Sequence, residues 1–379
     1  MNNKHDDRDS EDKDGKLTPV TRRLLTAAED IALAESPIIE YQHSLFCQVG
    51  LPRSPQNSRV FERHFGRASL IIEAGRLWDG EQWVERPLPS GPKPRLILID
   101  INSELVRTRY PIVNIERTAK KYMARLGVNS DGGRNYTLFK DKMLDLVASR
   151  FILGFSPKEG LASTLKTDPI KRFEGWMTKE GEQRTLWPET LEVSREYLDS
   201  LIQHAVPQDP RALRGLAYSA MALDVYSLFA RRLVTLEKPV KVTWVQWHRQ
   251  MGQEYACVKE FKKRFLEAVL AVLSVYPDAK VELVRGGLLL KPSPPPMRGK
   301  IAVSVGLADH VRTTLPAPPQ EKPLNPETVA KFKAAWPNLD PYACRDDFDA
   351  WLEKVPGRQP RQYDRAFLGF AKKWVIGKI

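Results

Sequence analysis

Nine residues recur at a distance, and their recurrence limits the folds open to this chain more than any other feature. "FKDKMLDLV" at residues 139–147 aligns without a gap on "FKKRFLEAV" at residues 261–269, with Phe, Lys, a basic residue, an apolar residue, Leu, an acid and Val in phase. Apolar residues at i, i+4, i+7 and i+8 make one stripe of an α-helix. The surroundings match as well. "PIVNIERTAKKYMARLG" precedes the first copy and "VKVTWVQWHRQMG" the second, each reading as a short apolar strand, a helix and a glycine, Gly127 or Gly252. Before each strand lies a further helical pattern, "INSELVRTR" in one unit and "PRALRGLAYSAMALDVYSLFARRLV" in the other. After the second copy, "AKVELVRG" and "GLLLKPS" alternate around Gly286 and Gly287, a hairpin signal. Helix, strand, helix, turn, helix and hairpin is the winged-helix order, whose second turn-linked helix enters the major groove. The expected fold class is therefore α+β, with two tandem winged-helix (helix-turn-helix with β-hairpin wing) domains and a small C-terminal helical module.

The two copies differ in charge. On the second helix Val258, Phe261, Phe265, Ala268, Val269 and Val272 occupy one arc, with Lys259, Glu260, Lys263 and Arg264 opposite and Lys262 at the boundary. Leu266, Leu270 and Leu273 make its C-terminal half apolar all round, so only its first two turns are free to meet a partner. On the first helix Tyr136, Phe139, Met143, Leu146 and Val147 fill the arc, and the outer positions Thr137, Asp141 and Lys142 are nearly neutral. Here composition decides what the partner is. The chain holds 59 Lys and Arg against 47 Asp and Glu, a net +12, and residues 241–300 alone carry eleven basic and five acidic side chains, or +6. A polyanion is the matching partner. The predicted DNA contacts are Gln253, Tyr255, Lys259, Lys262, Lys263 and Arg264 in the second unit, Arg285 and Lys291 on its hairpin, and Arg134, Asn135, Thr137 and Lys140 in the first.

The remaining organisation follows from punctuation. Residues 1–17 read as a disordered tail, polar and mixed in charge. A first winged-helix-like domain is expected over 18–165, opening with a helix capped at Thr18 and Pro19, then "SLIIEAG", "QWVERPL" and "RLILIDI" as strands, with helix from Ser103. The second domain, the main DNA reader, is expected over 185–291. A Pro-rich linker follows at 292–325, then a helical module at 326–379 with Trp336, Trp351, Phe370 and Trp374 as its core. Three widely spaced cysteines, Cys47, Cys257 and Cys344, fit a reducing cytoplasm. No run approaches the roughly 18 apolar residues of a membrane span, so no membrane partner is expected.

No chemistry-bearing motif competes with this reading. GxxxxGK[ST] is absent, and "RGGLLLKPS" has neither its spacing nor its context. The six histidines are scattered, and His248, on the support helix, reads as partly buried. Adjacent acids Asp346–Asp347 and Asp6–Asp7 do not converge on a site. Trp244 and Trp247, at a strand-to-helix junction, read as core. The expectation is a binding protein, not an enzyme, with no cofactor and no metal.

Three stretches are similar to a known family. "SLFCQVGLPRSPQNSRVFERHFGRASLIIEAGRLWDG", "LPSGPKPRLILIDINSELVRTR" and "GVNSDGGRNYTLFKDKMLDLVASRF" resemble the RepA-type replication initiators of bacterial plasmids over roughly residues 42–290, with "LPSGPKPRLILI" the most specific block. The closing "RAFLGFAKKWV" resembles the tail of some of these proteins. The resemblance implies an initiator built from two winged-helix units that binds repeated double-stranded origin DNA, opens adjacent duplex, engages the host replicative helicase and host initiator, and can form a homodimer. A transcriptional repressor or partition-type DNA-binding protein on the same winged helices is the alternative.

Overall fold

The computed structural model describes residues 18–33, 38–116, 118–128, 133–158, 161–167, 170, 172–180, 183–297, 326–336, 344–345, 348, 351–352 and 363–376. The protein is a mixed α/β chain in two compact units, residues 1–308 and 309–379. The tail 1–17 and most of the linker lie outside the described residues.

The large unit is organised around a helix that the sequence reading mistook. "RLILIDI" is not a strand; Pro92–Thr108 forms one 17-residue helix, α2, with prolines in its first turn and Gly91 before it at φ 88°. A continuous apolar run fits a buried strand or a buried helix equally, and only the environment decides. Here both sides are core. Ile97, Leu98 and Ile101 pack into one apolar cluster, and Leu96 and Ile99 into the other. Helix α1 (Pro19–Leu33), assigned by sequence to the first domain, inserts Ala27 into the second cluster and packs on α6 (Pro210–Leu216) and α9 (Val258–Val275).

Around α2 the sequence echo reappears as topology. After α2 come β6 (Ile112–Asn114), α3 (Ala119–Arg125) and α4 (Gly133–Ala148); after α7 (Ala220–Arg232) come β12 (Val240–Thr243), α8 (Trp244–Met251) and α9. In the second set, β13 (Val281–Val284) and β14 (Gly287–Leu290) close an antiparallel sheet ordered β12-β14-β13. In the first, β9 (Arg172–Glu180) and β10 (Gln183–Glu192) close one ordered β6-β10-β9, the same connectivity. These strands occupy much of the interval 165–185 in which the sequence places the border between domains.

The first set carries an insertion between α4 and β9. β7 (Arg150–Lys158) and β8 (Leu161–Thr167) join β2 (Val60–Phe65) and β3 (Ala68–Glu73) in an antiparallel sheet ordered β2-β3-β7-β8. A short hairpin, β4 (Arg76–Trp78) and β5 (Trp83–Glu85), precedes α2. β1 (Glu40–His43) pairs with β11 (Ala205–Gln208), which follows α5 (Arg195–His204), so the chain returns to the first core before entering α6.

The expected linker begins later than the sequence suggests. Ser293 donates its amide to the Leu233 carbonyl, the Pro294 carbonyl accepts from the Tyr276 hydroxyl at 2.6 Å, and Met297 is buried. In the small unit, α10 (Pro326–Ala335) and α11 (Tyr363–Ile376) enclose Phe332, Cys344, Phe348, Phe367 and Ala371, with Phe332 stacked on Phe367 at 5.7 Å. No helix among the described residues is long and apolar enough to cross a membrane.

Candidate nucleic-acid interface

The repeated helices bury their repeated residues. Phe139, Met143, Leu146 and Val147 on α4 and their counterparts Phe261, Phe265, Ala268 and Val269 on α9 are all buried. Phe261 and Phe265 stack at 5.1 Å, and Trp247 from α8 lies 4.9 Å from Phe265. Burying a ring of this size stabilises by roughly 1.5–3 kcal/mol, so the inner stripe fixes which face of α9 looks outward.

That outward face is basic in its first two turns. Lys259 and Lys263 are exposed and unpaired among the described residues. Arg264 is exposed beside them and donates to Glu267 at 3.2 Å. Lys262 is half-buried, with its ammonium 4.9 Å from the Trp244 ring centre. Trp244 thus fixes a lysine at the rim of the face, a role beyond the core packing expected of it; Trp247 is core, as read. His248 is half-buried against Phe261, also as read.

The turn before α9 carries Gln253, exposed and donating to the Arg249 carbonyl, and Tyr255, half-buried with its ring edge-on to Phe261. The hairpin tip comes close to the start of α8. Gly286, at φ 86°, accepts the Trp244 amide at 3.1 Å, and Gly287 lies so near the β12 backbone that a Cβ would sit 2.0 Å from the Val242 carbonyl oxygen. Arg285 projects from this anchored tip, exposed and unpaired among the described residues. Lys291 is different: it forms an ion pair with Glu282 across the hairpin.

The first unit's set does not gather in the same way. Arg134 and Thr137 are exposed and Asn135 is half-buried. Lys140, expected to touch DNA, is buried, its ammonium 4.9 Å above the Tyr136 ring. It occupies the position of Lys262 in the repeat, and in both helices this lysine is laid over an aromatic ring. Lys142, expected at the surface, is half-buried and bonded to buried Asp145 at 3.2 Å, which also binds Arg86 at 2.8 Å. Arg86 in turn reaches Asp141 at 3.1 Å. The outer face of α4 is therefore largely consumed by internal ion pairs.

Sequence reasoning missed the cluster that holds the turn of the second unit. Glu254, between α8 and α9, accepts from the amides of Arg53 and Ser54, from the Ser54 hydroxyl at 2.8 Å and from Arg63 at 2.9 Å. Arg63 is almost wholly buried on β2. Asp224 on α7 takes Arg95 of α2 at 2.7 Å and Arg53 at 2.9 Å, while Arg95 also donates to the carbonyls of Leu51, Pro52 and Gly91. Burial pushes both carboxyls up, yet the hydrogen bonds and arginine charges win and hold Glu254 and Asp224 below the usual carboxylate range. Burial lowers Arg63 to about 10. A lysine or arginine spaced for DNA carries a local charge signal; partners 129 to 201 residues apart carry none.

Neither a protein-family model nor a curated protein matches the chain. Two crystal structures of domains 2 and 3 of RctB, one of them a selenomethionine derivative, align with 66% and 65% of this chain and 98% and 94% of theirs. Identity is 10% in both, with TM-scores of 0.44 and 0.42. At this distance the functional reading rests on the geometry of the site.

Proposed function

We propose that the protein is a replication initiator that binds repeated origin DNA, with residues 210–290 acting as a winged helix whose reading helix is α9. The observation that carries the DNA reading is the pairing of α9's first two turns, with Lys259, Lys263 and Arg264 exposed over a buried aromatic stripe, with Arg285 on an anchored hairpin tip. Helix N-terminal residues of a helix-turn-helix meet base edges and phosphates, and a wing meets the flanking backbone. Gln253 and Tyr255 stand at the entrance to the helix and are the polar groups placed to read bases.

The initiator reading is supported by the repeated architecture; its plasmid form follows the sequence resemblance of residues 42–290 alone, which no family model or curated protein matches. In this reading the protein is a cytoplasmic DNA-binding protein without catalytic chemistry, partnered by origin duplex, a host helicase and host initiator, and a second copy of itself. The first unit contributes through Arg134 and Thr137, more weakly because its helix face is internally paired.

The test is a footprint of the purified protein on DNA flanking its gene. Protection of directly repeated sites of roughly 20 base pairs beside an AT-rich tract supports initiation. Protection of one inverted repeat over a promoter instead identifies a repressor.

A further inference from the structure

Helix α1 carries arginines where helix physics disfavours them. Thr18 accepts the Thr21 amide at 3.2 Å and Pro19 begins the helix, so Arg22 and Arg23 fall in and just past the first turn. The positive end of the helix dipole favours acids there, and α1 has no acid in that turn. Both arginines line a cavity of about 410 Å³ between α1, α6 and the exit of α3, together with Arg211, Arg214, Asp30 and Gly127.

Arg211 is already engaged. It binds Asp209 at 2.7 Å and donates to the Asp30 carbonyl at 2.8 Å. Arg22, Arg23 and Arg214 have no carboxylate partner among the described residues, and Asp30 supplies the one acid of the lining. Two glycines shape the wall. A Cβ on Gly127, at φ 66°, would fall 2.4 Å from Arg214 Cδ, so only glycine lets the Arg214 chain lie across the α3 exit. A Cβ on Gly215 would fall 2.8 Å from Ala27 Cβ, so its absence lets α1 and α6 meet.

We propose that this cavity binds a small polyphosphate. Guanidinium forks match phosphate oxygens in pairs, and three of them lining one cavity against the single carboxylate of Asp30 leave a positive excess that a multiply charged anion completes. Among the described residues no aromatic ring lines the cavity, so phosphates and not a base are recognised. The site lies far from the basic turns of α9: Gly215 adjoins Val275, sixteen residues along that helix from Lys259 and so about 24 Å from it. Because the lining comes from α1, α6 and the α3 exit, a bound anion ties these elements together and stabilises the large unit.

The experiment is thermal unfolding of the full chain in millimolar tripolyphosphate, against sodium sulfate and sodium chloride at matched ionic strength. Tripolyphosphate is expected to raise the large unit's Tm by several degrees more than either salt. Arg22→Ala with Arg214→Ala, both exposed positions, should abolish that difference while circular dichroism and DNA affinity stay unchanged; Lys259→Ala with Lys263→Ala should retain it. Equal shifts in all three salts overturn the proposal, and so does the outcome expected if the acidic run at residues 6–14 fills the cavity, a full chain indifferent to tripolyphosphate. Loss of DNA affinity in the Arg22 and Arg214 variant also overturns it, by making the cavity part of the duplex track.

Discussion

Glu254 is the residue that ties the turn between α8 and α9 to the rest of the large unit. It sits between α8 and α9, yet every bond its carboxylate makes among the described residues reaches residues 53–63. Its removal leaves the Arg63 guanidinium buried without its ion partner. Breaking one side of a buried pair costs about 3–5 kcal/mol, so Glu254→Gln should destabilise the large unit by about 3 kcal/mol in urea unfolding; a change below about 1 kcal/mol would show that the Gly50 carbonyl, to which Arg63 also donates at 3.2 Å, suffices for Arg63. The acid side of the stability curve tests the same residues. Glu254 and Asp224 have folded pKa values below those of the unfolded chain, so their stabilisation is full above pH about 4 and is lost as pH falls through the folded values. The urea midpoint should drop steeply below pH about 4 in the wild type and less so in Glu254→Gln, and superimposable profiles would count against the cluster.

At the scale of elements, periodicity served the amphipathic helices well and failed where a helix is buried all round. The stripes of α4 and α9 were legible because each has one wet side. α2 has none over Pro94–Ser103, and its run of Leu and Ile reads as a strand until Pro92 and Pro94 are taken as first-turn prolines, a signal present in the sequence but outweighed by the continuous apolar run. The charge of a helix face was legible only in part: Lys259 and Lys263 stand free as read, whereas Lys140 and Lys142 are drawn inward by Tyr136 and Asp145, whose positions depend on the fold. The hairpin is where element and function meet. Arg285 is exposed, while the glycines behind it lie against β12 and the start of α8, so Arg285→Ala should weaken DNA binding several-fold with a Tm change under about 1 °C, which paired binding and melting curves will measure. A large loss of Tm at unchanged affinity would make Arg285 structural.

For the whole molecule, packing of the large unit extends at least to Met297. A chain ending at 290 loses the Ser293 amide bond to Leu233, the Tyr276 bond to Pro294 and the buried Met297, and should be measurably less stable than one ending at 297. Residues 18–297 hold both apolar clusters and every exposed cation of the reading face, so that fragment should bind the footprinted site within about tenfold of the full chain, or about 1.4 kcal/mol. A drop of several orders of magnitude would assign binding to the C-terminal unit. The two repeated sets of elements predict unequal contributions from one molecule, and the most direct measurement is the affinity for the footprinted duplex as a function of salt. Lys259→Ala with Lys263→Ala should weaken binding far more than Arg134→Ala with Thr137→Ala and should reduce the salt slope by about two, one for each phosphate that is no longer neutralised. Equal weakening by the two variants, or an unchanged slope in the lysine variant, would contradict α9 as the reading helix.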